Sequence, residues 1–273
     1  KQNITQSDLN LMTSGGIPED CDCLLINAPT SDYGEAEADQ IIEYLDGGGR
    51  AIILAAYTED SMTNFSRILE AYGMTLTDGI VMESSNHYYQ YPMYVIPGIE
   101  SAELTSDLAE ENANILIPQA FGIKSTDRED VTLTELLSSS SGAYAKKVVD
   151  GTISTYEKED GDEEGPFAYA YLAEKEAADT SADDSGDADT SADDSGAADT
   201  SADDSGDVDT SADDSDDADT EENAAESADA SQSEGGKVVL ISAASLLDES
   251  ITGSFPQISN LDFYMNCVAS LCG

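Results

Sequence analysis

Two short stretches in the first sixty residues are apolar at every position: Cys23-Leu24-Leu25-Ile26 and Ala51-Ile52-Ile53-Leu54-Ala55-Ala56. Uninterrupted runs of this length predict interior strands buried on both faces. Between them the period changes. Ala38, Ile41, Ile42 and Leu45 stand at i, i+3, i+4 and i+7, the stripe of an amphipathic helix. Asp32 and Glu35 precede it in a capping-box pattern, and Gly47-Gly48-Gly49 predicts its end. Phe65, Ile68, Leu69 and Tyr72 form a second helical stripe, with Gly73 placed to terminate it. Strand, helix, strand, helix at this spacing predicts βαβ units and a parallel sheet.

The remaining pattern is less regular. Ser7 to Met12 alternates at Leu9 and Leu11, which predicts a short strand. Gly79 to Met82, Met93 to Ile96, Asn114 to Ile117 and Val131 to Leu137 also read as extended. Ser138 to Ser141 reads as a polar loop, and Ala143 to Lys147 as a short helical turn. Phe167 to Leu172 predicts a strand with Lys237 to Ile241 as its mate. A last helix opens at Asn260, with Leu261, Tyr264, Met265 and Val268 as its apolar stripe. Together these predict an α/β fold: a three-layer, open, mostly parallel sheet of flavodoxin-like or amidotransferase-like kind.

Composition divides that fold in two. Of the 273 residues, 58 are acidic and 10 basic. Between Ala178 and Glu234 lie 57 residues with 22 acids, no Lys or Arg, and Val208 as the one apolar side chain larger than alanine. The unit Ala-Asp-Thr-Ser-Ala-Asp-Asp-Ser-Gly-Asp recurs every ten residues there. A solenoid repeat of that length needs a large apolar residue per turn to fill a core, and this one carries only alanine. Burial cannot offset the entropy of ordering it, so a disordered insertion is expected over 175–235. It would interrupt one discontinuous domain made of 1–174 and 236–273. The 216 residues outside the tract keep 36 acids against the same 10 bases. An acidic surface repels phosphates, so no nucleic-acid partner is expected. No apolar run reaches the length of a membrane span, and no signal peptide opens the chain. A start at Lys1 suggests an excised piece of a longer protein, with any anchor outside it.

Candidate chemistry is sparse. Gly47-Gly48-Gly49-Arg50 precedes a strand, whereas phosphate-binding glycines follow one and open a helix. No Gly-x-Ser-x-Gly elbow follows either apolar strand, and Cys23 stands at the wrong end of its strand for a nucleophile. The single histidine, His87, sits in Ser85-Asn86-His87-Tyr88-Tyr89-Gln90-Tyr91, a tyrosine-rich loop of a kind used for packing or recognition. The repeat fails EF-hand spacing, which leaves weak divalent-cation association and no metal site. Cys21, Cys23, Cys267 and Cys272 read as small buried hydrophobes. A disulfide between the two pairs is compatible with an oxidising compartment and is not decided by spacing. Position supplies the remaining candidates. Ligands of open parallel sheets sit beyond the carboxyl ends of the strands, which here singles out Asn27, Thr30, Ser31, Tyr57 and Thr58 as ligand-binding candidates. No catalytic residue and no cofactor is expected.

The order of segments resembles a known family. Leu9-Asn10-Leu11, Ile17-Pro18-Glu19-Asp20-Cys21-Asp22, Leu25-Ile26-Asn27-Ala28-Pro29-Thr30-Ser31-Asp32 and Tyr44-Leu45-Asp46-Gly47-Gly48-Gly49 before Ile52-Ile53-Leu54 are similar to the auxiliary component of uncharacterised ABC-type transport systems. That family includes the GldG protein of gliding motility, and its central domain resembles the GIFT domain of intraflagellar transport proteins. Asn260-Leu261-Asp262, Asn266 and Leu271 resemble the family's closing helix, with Ser270 where an aromatic is common. The resemblance implies a membrane-anchored, extracytoplasmic bacterial domain, at the cell surface or in the periplasm, with ABC permease and ATPase subunits as partners. It also implies that the first strand and helix of the sheet are missing from this chain. The acidic repeat is no feature of the family. Two readings compete with it: an enzyme of amidotransferase-like or flavodoxin-like fold, and a spacer protein whose function lies in the tract.

Overall fold

The computed structural model describes residues 4–58, 60–84, 86–177 and 235–272. In chain order the elements are α1 (Leu11–Ser14), β1 (Leu24–Asn27), α2 (Glu35–Asp46), β2 (Arg50–Leu54), α3 (Thr63–Glu70), β3 (Met74–Met82), β4 (Tyr94–Val95), β5 (Gly98–Ile99), α4 (Ser106–Glu110), β6 (Ile117–Pro118), β7 (Phe121–Ser125), β8 (Val131–Ser138), β9 (Tyr144–Lys146), β10 (Glu163–Glu164), β11 (Ala168–Lys175), β12 (Lys237–Ile241), a 3₁₀ turn (Ala244–Leu247), α5 (Glu249–Thr252) and α6 (Asn260–Cys272). The acidic repeat lies outside the described residues. The strands that flank it in sequence, β11 and β12, are antiparallel neighbours, with Ala170 opposite Ile241 and Glu174 opposite Lys237.

The fold is α/β with a mixed sheet. Among the described residues ten strands form it, in the order β1-β2-β12-β11-β7-β3-β9-β10, with β8 also on β11 and β5 on β8. Only β1, β2 and β12 run parallel to one another. The expectation of a mostly parallel sheet is therefore corrected: every other pairing is antiparallel. The reason lies in the connections. Parallel neighbours need a long crossover, usually a helix, and no helical stripe lies between β9 and β10, which pair antiparallel.

Alternation along β2 and β12 builds the layers. Ile52, Leu54, Val239 and Ile241 face one apolar cluster, which holds Phe263, Cys267 and Leu271 of α6. Ala51, Ile53, Val238 and Leu240 face another, which holds Ala38, Ile41 and Leu45 of α2 and Phe65, Ile68 and Leu69 of α3. Helices thus cover both faces, and each large apolar side chain buried there contributes about 1.5–3 kcal/mol. The Gly47–Gly49 turn stops α2 by accepting geometry no side chain would fit. A Cβ on Gly49 would lie 2.5 Å from both the ring and the carbonyl of Tyr44.

Several local expectations are corrected. β1 is an edge strand, not an interior one, so Leu25 is 42% exposed while Ile26 is buried. Ser7–Met12 finds no partner strand; Thr13 and Ser14 instead hydrogen-bond back to the Asn10 carbonyl and start α1. Asp32 does not cap α2. Gly34 precedes that helix and donates its N–H to the Glu37 carboxylate (2.8 Å). Ala143–Lys147 is not helical, because Tyr144, Ala145 and Lys146 pair with Met82, Val81 and Ile80 as β9. In α6 the buried stripe is Asn260, Phe263, Cys267, Val268 and Leu271, with Leu261 and Met265 facing out. Asn260 sets that rotation. Its side chain accepts from Leu116 N (2.9 Å) and donates to Leu116 O (2.7 Å) and Leu246 O (2.8 Å), all buried.

Candidate functional site

The three parallel strands end on one rim. Ala28 N donates to Leu54 O and Ala55 N to Ile241 O, both at 2.9 Å, so the ends are level. Beyond them Thr58 Oγ1 donates to Thr30 O (3.2 Å) and accepts from Asp60 N (3.2 Å). Asp32 accepts from the amides of Asn64 and Phe65 (2.9 Å each), capping α3 from across the rim. Partial burial opposes its charge, but these amides, with those of Tyr33 and Thr63, hold its carboxyl below the usual range. The sequence candidates thus separate. Thr30 and Thr58 meet in a hydrogen bond, and Asn27 and Ser31 stay exposed along the rim.

Tyr57 goes elsewhere. It stands at the mouth of a cleft of about 330 Å³, with Ile80, Met93, Gln119, Ile153 and Tyr156 among its walls. Among the lining residues Ile80 belongs to a small apolar cluster with Ala55, Met82 and Phe121. Gln119, between β6 and β7, has φ +55°, the left-handed region that non-glycine residues rarely adopt. Its N–H is tied to Met93 O (2.7 Å). The far wall is the 148–156 loop, held against β9 by a hydrogen bond from Tyr144 Oη to Tyr156 O. Below it Lys146 is buried. Burial works against its charge, yet Glu159 (2.7 Å) and Asp162 (2.9 Å) hold the ammonium above the ordinary lysine range. This ion pairing fixes the loop's exit.

Aromatic rings crowd the same side. Tyr91 lies 6.4 Å from Tyr156 and 5.7 Å from Tyr94, both edge-on, and Tyr89 lies 5.1 Å from Phe255. Tyr57, Tyr89, Tyr91 and Tyr156 are all exposed. The ring contacts show that the tyrosine loop around His87 packs; Gln119 and the 148–156 wall are not marked by their own sequence. A second groove, of about 460 Å³, runs along α3 past Arg67 and Glu70 and touches none of the predicted residues.

Behind the cleft a buried carboxylate organises the sheet. Glu83 accepts from Ser140 N (3.0 Å), Ser140 Oγ (2.6 Å) and Tyr169 Oη (3.0 Å). Burial and the neighbouring carboxylate push the Tyr169 phenol well above its usual value, so it stays a donor. This trio locks the 138–141 loop to β3 and β11. Ser242, at the end of β12, buries its hydroxyl with no hydrogen-bond partner among the described residues.

The cysteines gather at the opposite end of β1. All four are free. Only Cys267 is fully buried, and burial pushes its thiol up to about 12. Burial and the nearby Cys272 thiol also drive the Cys23 thiol far up, which leaves it an unactivated nucleophile. No group of His, Cys, Asp and Glu among the described residues could hold a metal ion. No described helix is long and apolar enough to cross a membrane.

No protein-family profile matches the chain, and no curated protein matches it. Among solved structures it is similar to the mmIFT52 N-terminal domain, at 11% identity and a TM-score of 0.51 over 92% of this chain and 77% of that one. At that identity the likeness is one of fold.

Proposed function

We propose that the chain is the extracytoplasmic domain of a GldG-like auxiliary protein of an ABC-type transport system, with a binding or scaffolding role beside the permease and ATPase. One observation carries the reading: the residues behind the sequence resemblance hold architecture and not chemistry. Asn27-Ala28-Pro29 ends β1, Gly47–Gly49 folds under Tyr44, and Asn260 pins α6 to Leu116 and Leu246. The likeness to the mmIFT52 N-terminal domain is one of fold and is in keeping with an α/β core of this kind. The β1-β2-β12 half, with α2 and α3 on one face and α6 on the other, is the part that fits a flavodoxin-like or amidotransferase-like description. The rim and the tyrosine cleft are then surfaces for partners, and fold alone would not have assigned them a reaction. The unactivated Cys23 thiol weighs against the enzyme reading.

The test is co-purification. The intact parent protein, captured from detergent-solubilised membranes of its own cells, is expected to bring down a membrane permease and an ATPase. Recovery of neither overturns the reading.

A further inference from the structure

The cleft beside Tyr57 has the features of a cation receptor. Exposed tyrosines are unremarkable singly, but here Tyr57 and Tyr156 flank one opening and Tyr91 extends the patch from Tyr156 at 6.4 Å. They are 37%, 40% and 48% exposed, so ring surface is presented to solvent and not spent on the core. The faces of such rings carry negative quadrupole density and attract guanidinium and ammonium groups. Gln119 adds an exposed amide to the wall.

Charge points the same way. Just past the far wall, Glu159 is matched with Lys146 and Lys158 with Glu164. Asp150, Glu157 and Asp160 are exposed and have no cationic partner among the described residues. Outside the acidic tract the chain still carries 36 acids against 10 bases, a balance that draws cations toward its surface. The volume, about 330 Å³, is at the lower end of ligand clefts and suits one long side chain better than a bulky cofactor.

We infer that this tyrosine-walled cleft receives an arginine or lysine side chain from an extended basic segment of a protein partner. The segment lies across Tyr91 and Tyr156, its cation between the rings of Tyr57 and Tyr156, with Asp150 and Glu157 supplying the field. The inference leans on the transport reading only for who the partner is. The binding chemistry stands apart from it.

The test uses the full chain and a fluorescein-labelled nine-residue peptide of alternating glycine and arginine, with the same peptide carrying citrulline as a neutral control. Fluorescence anisotropy at fixed ionic strength compares wild type with Tyr57→Ala/Tyr156→Ala and with Tyr57→Phe/Tyr156→Phe. These changes leave net charge untouched, so the general pull of an acidic chain cancels. The alanine pair is expected to bind arginine peptide about tenfold more weakly, the phenylalanine pair to stay within about threefold of wild type, and citrulline to bind none of them. Both tyrosines are exposed, and circular dichroism of each variant checks the fold. If that check fails for the double variant, Tyr156→Ala alone carries the comparison. Equal affinity of wild type and the alanine pair, or no arginine-peptide binding at all, overturns the inference. So does equal loss in the phenylalanine pair. A failed peptide assay alongside successful co-purification rejects the cleft and leaves the transport reading standing.

Discussion

The two halves of the sheet are stabilised in different ways. Around β1, β2 and β12, burial is spread over many aliphatic side chains, each replaceable by another of similar size. Around β3, β7 and β9, strands are held by single polar or conformational devices: the Thr77 hydroxyl bridging Gly79 O and Gly122 N (2.9 Å each), buried Lys146, buried Glu83. The first half forms the scaffold. The second carries the cleft, and its shape depends on positions that tolerate one residue only.

Gly79 gives the sharpest contrast. It has φ +143°, and a Cβ there would lie 2.1 Å from the Lys146 carbonyl oxygen across the β3–β9 pair. Gly79→Ala is expected to cost about 3–4 kcal/mol, read as a drop in urea midpoint, whereas Ile53→Val in the parallel half should cost about 1 kcal/mol. Equal costs would erase the distinction between the halves. Glu83→Gln comes next. The change keeps an acceptor for Ser140 N and Tyr169 Oη but makes their hydrogen bonds neutral ones, so about 1 kcal/mol should be lost by the same measurement.

The last effect falls on the scaffold and depends on pH. Asp32→Ala removes the cap of α3 and should cost about 1 kcal/mol at pH 7. The folded carboxyl titrates below its unfolded value of about 3.9, so its contribution is complete above that pH. It is lost as pH falls through the lower, folded value. The gap between wild type and variant in a thermal melt should therefore close under acid. A gap that persists below pH 2 would mean that the amides of Asn64 and Phe65 are not satisfied by the charge.

This division also governs what the sequence discloses. The βαβ segment is legible because Leu24–Ile26, Ala51–Leu54 and the stripe Ala38-Ile41-Leu45 each state their environment locally. β9 does not. Ala143–Lys147 has helix-forming composition, and its strand conformation comes from pairing with Ile80–Met82, more than sixty residues earlier. Tyr57 could be found from its place at the end of β2. Gln119 and the 148–156 wall could not, since they reach the cleft by way of loops. Asp32 does cap a helix, but one that begins thirty-one residues on and not three.

The seam between β11 and β12 has a practical meaning. Lys175 N donates to Gly236 O at 2.9 Å, so chain departs from and returns to the sheet at a single point. The register of β11 against β12 is set by the pairs running from Ala170–Ile241 to Glu174–Lys237. A tight two-residue link or a whole guest domain could be spliced there without shifting the register of either strand, which makes the junction a natural port for cargo.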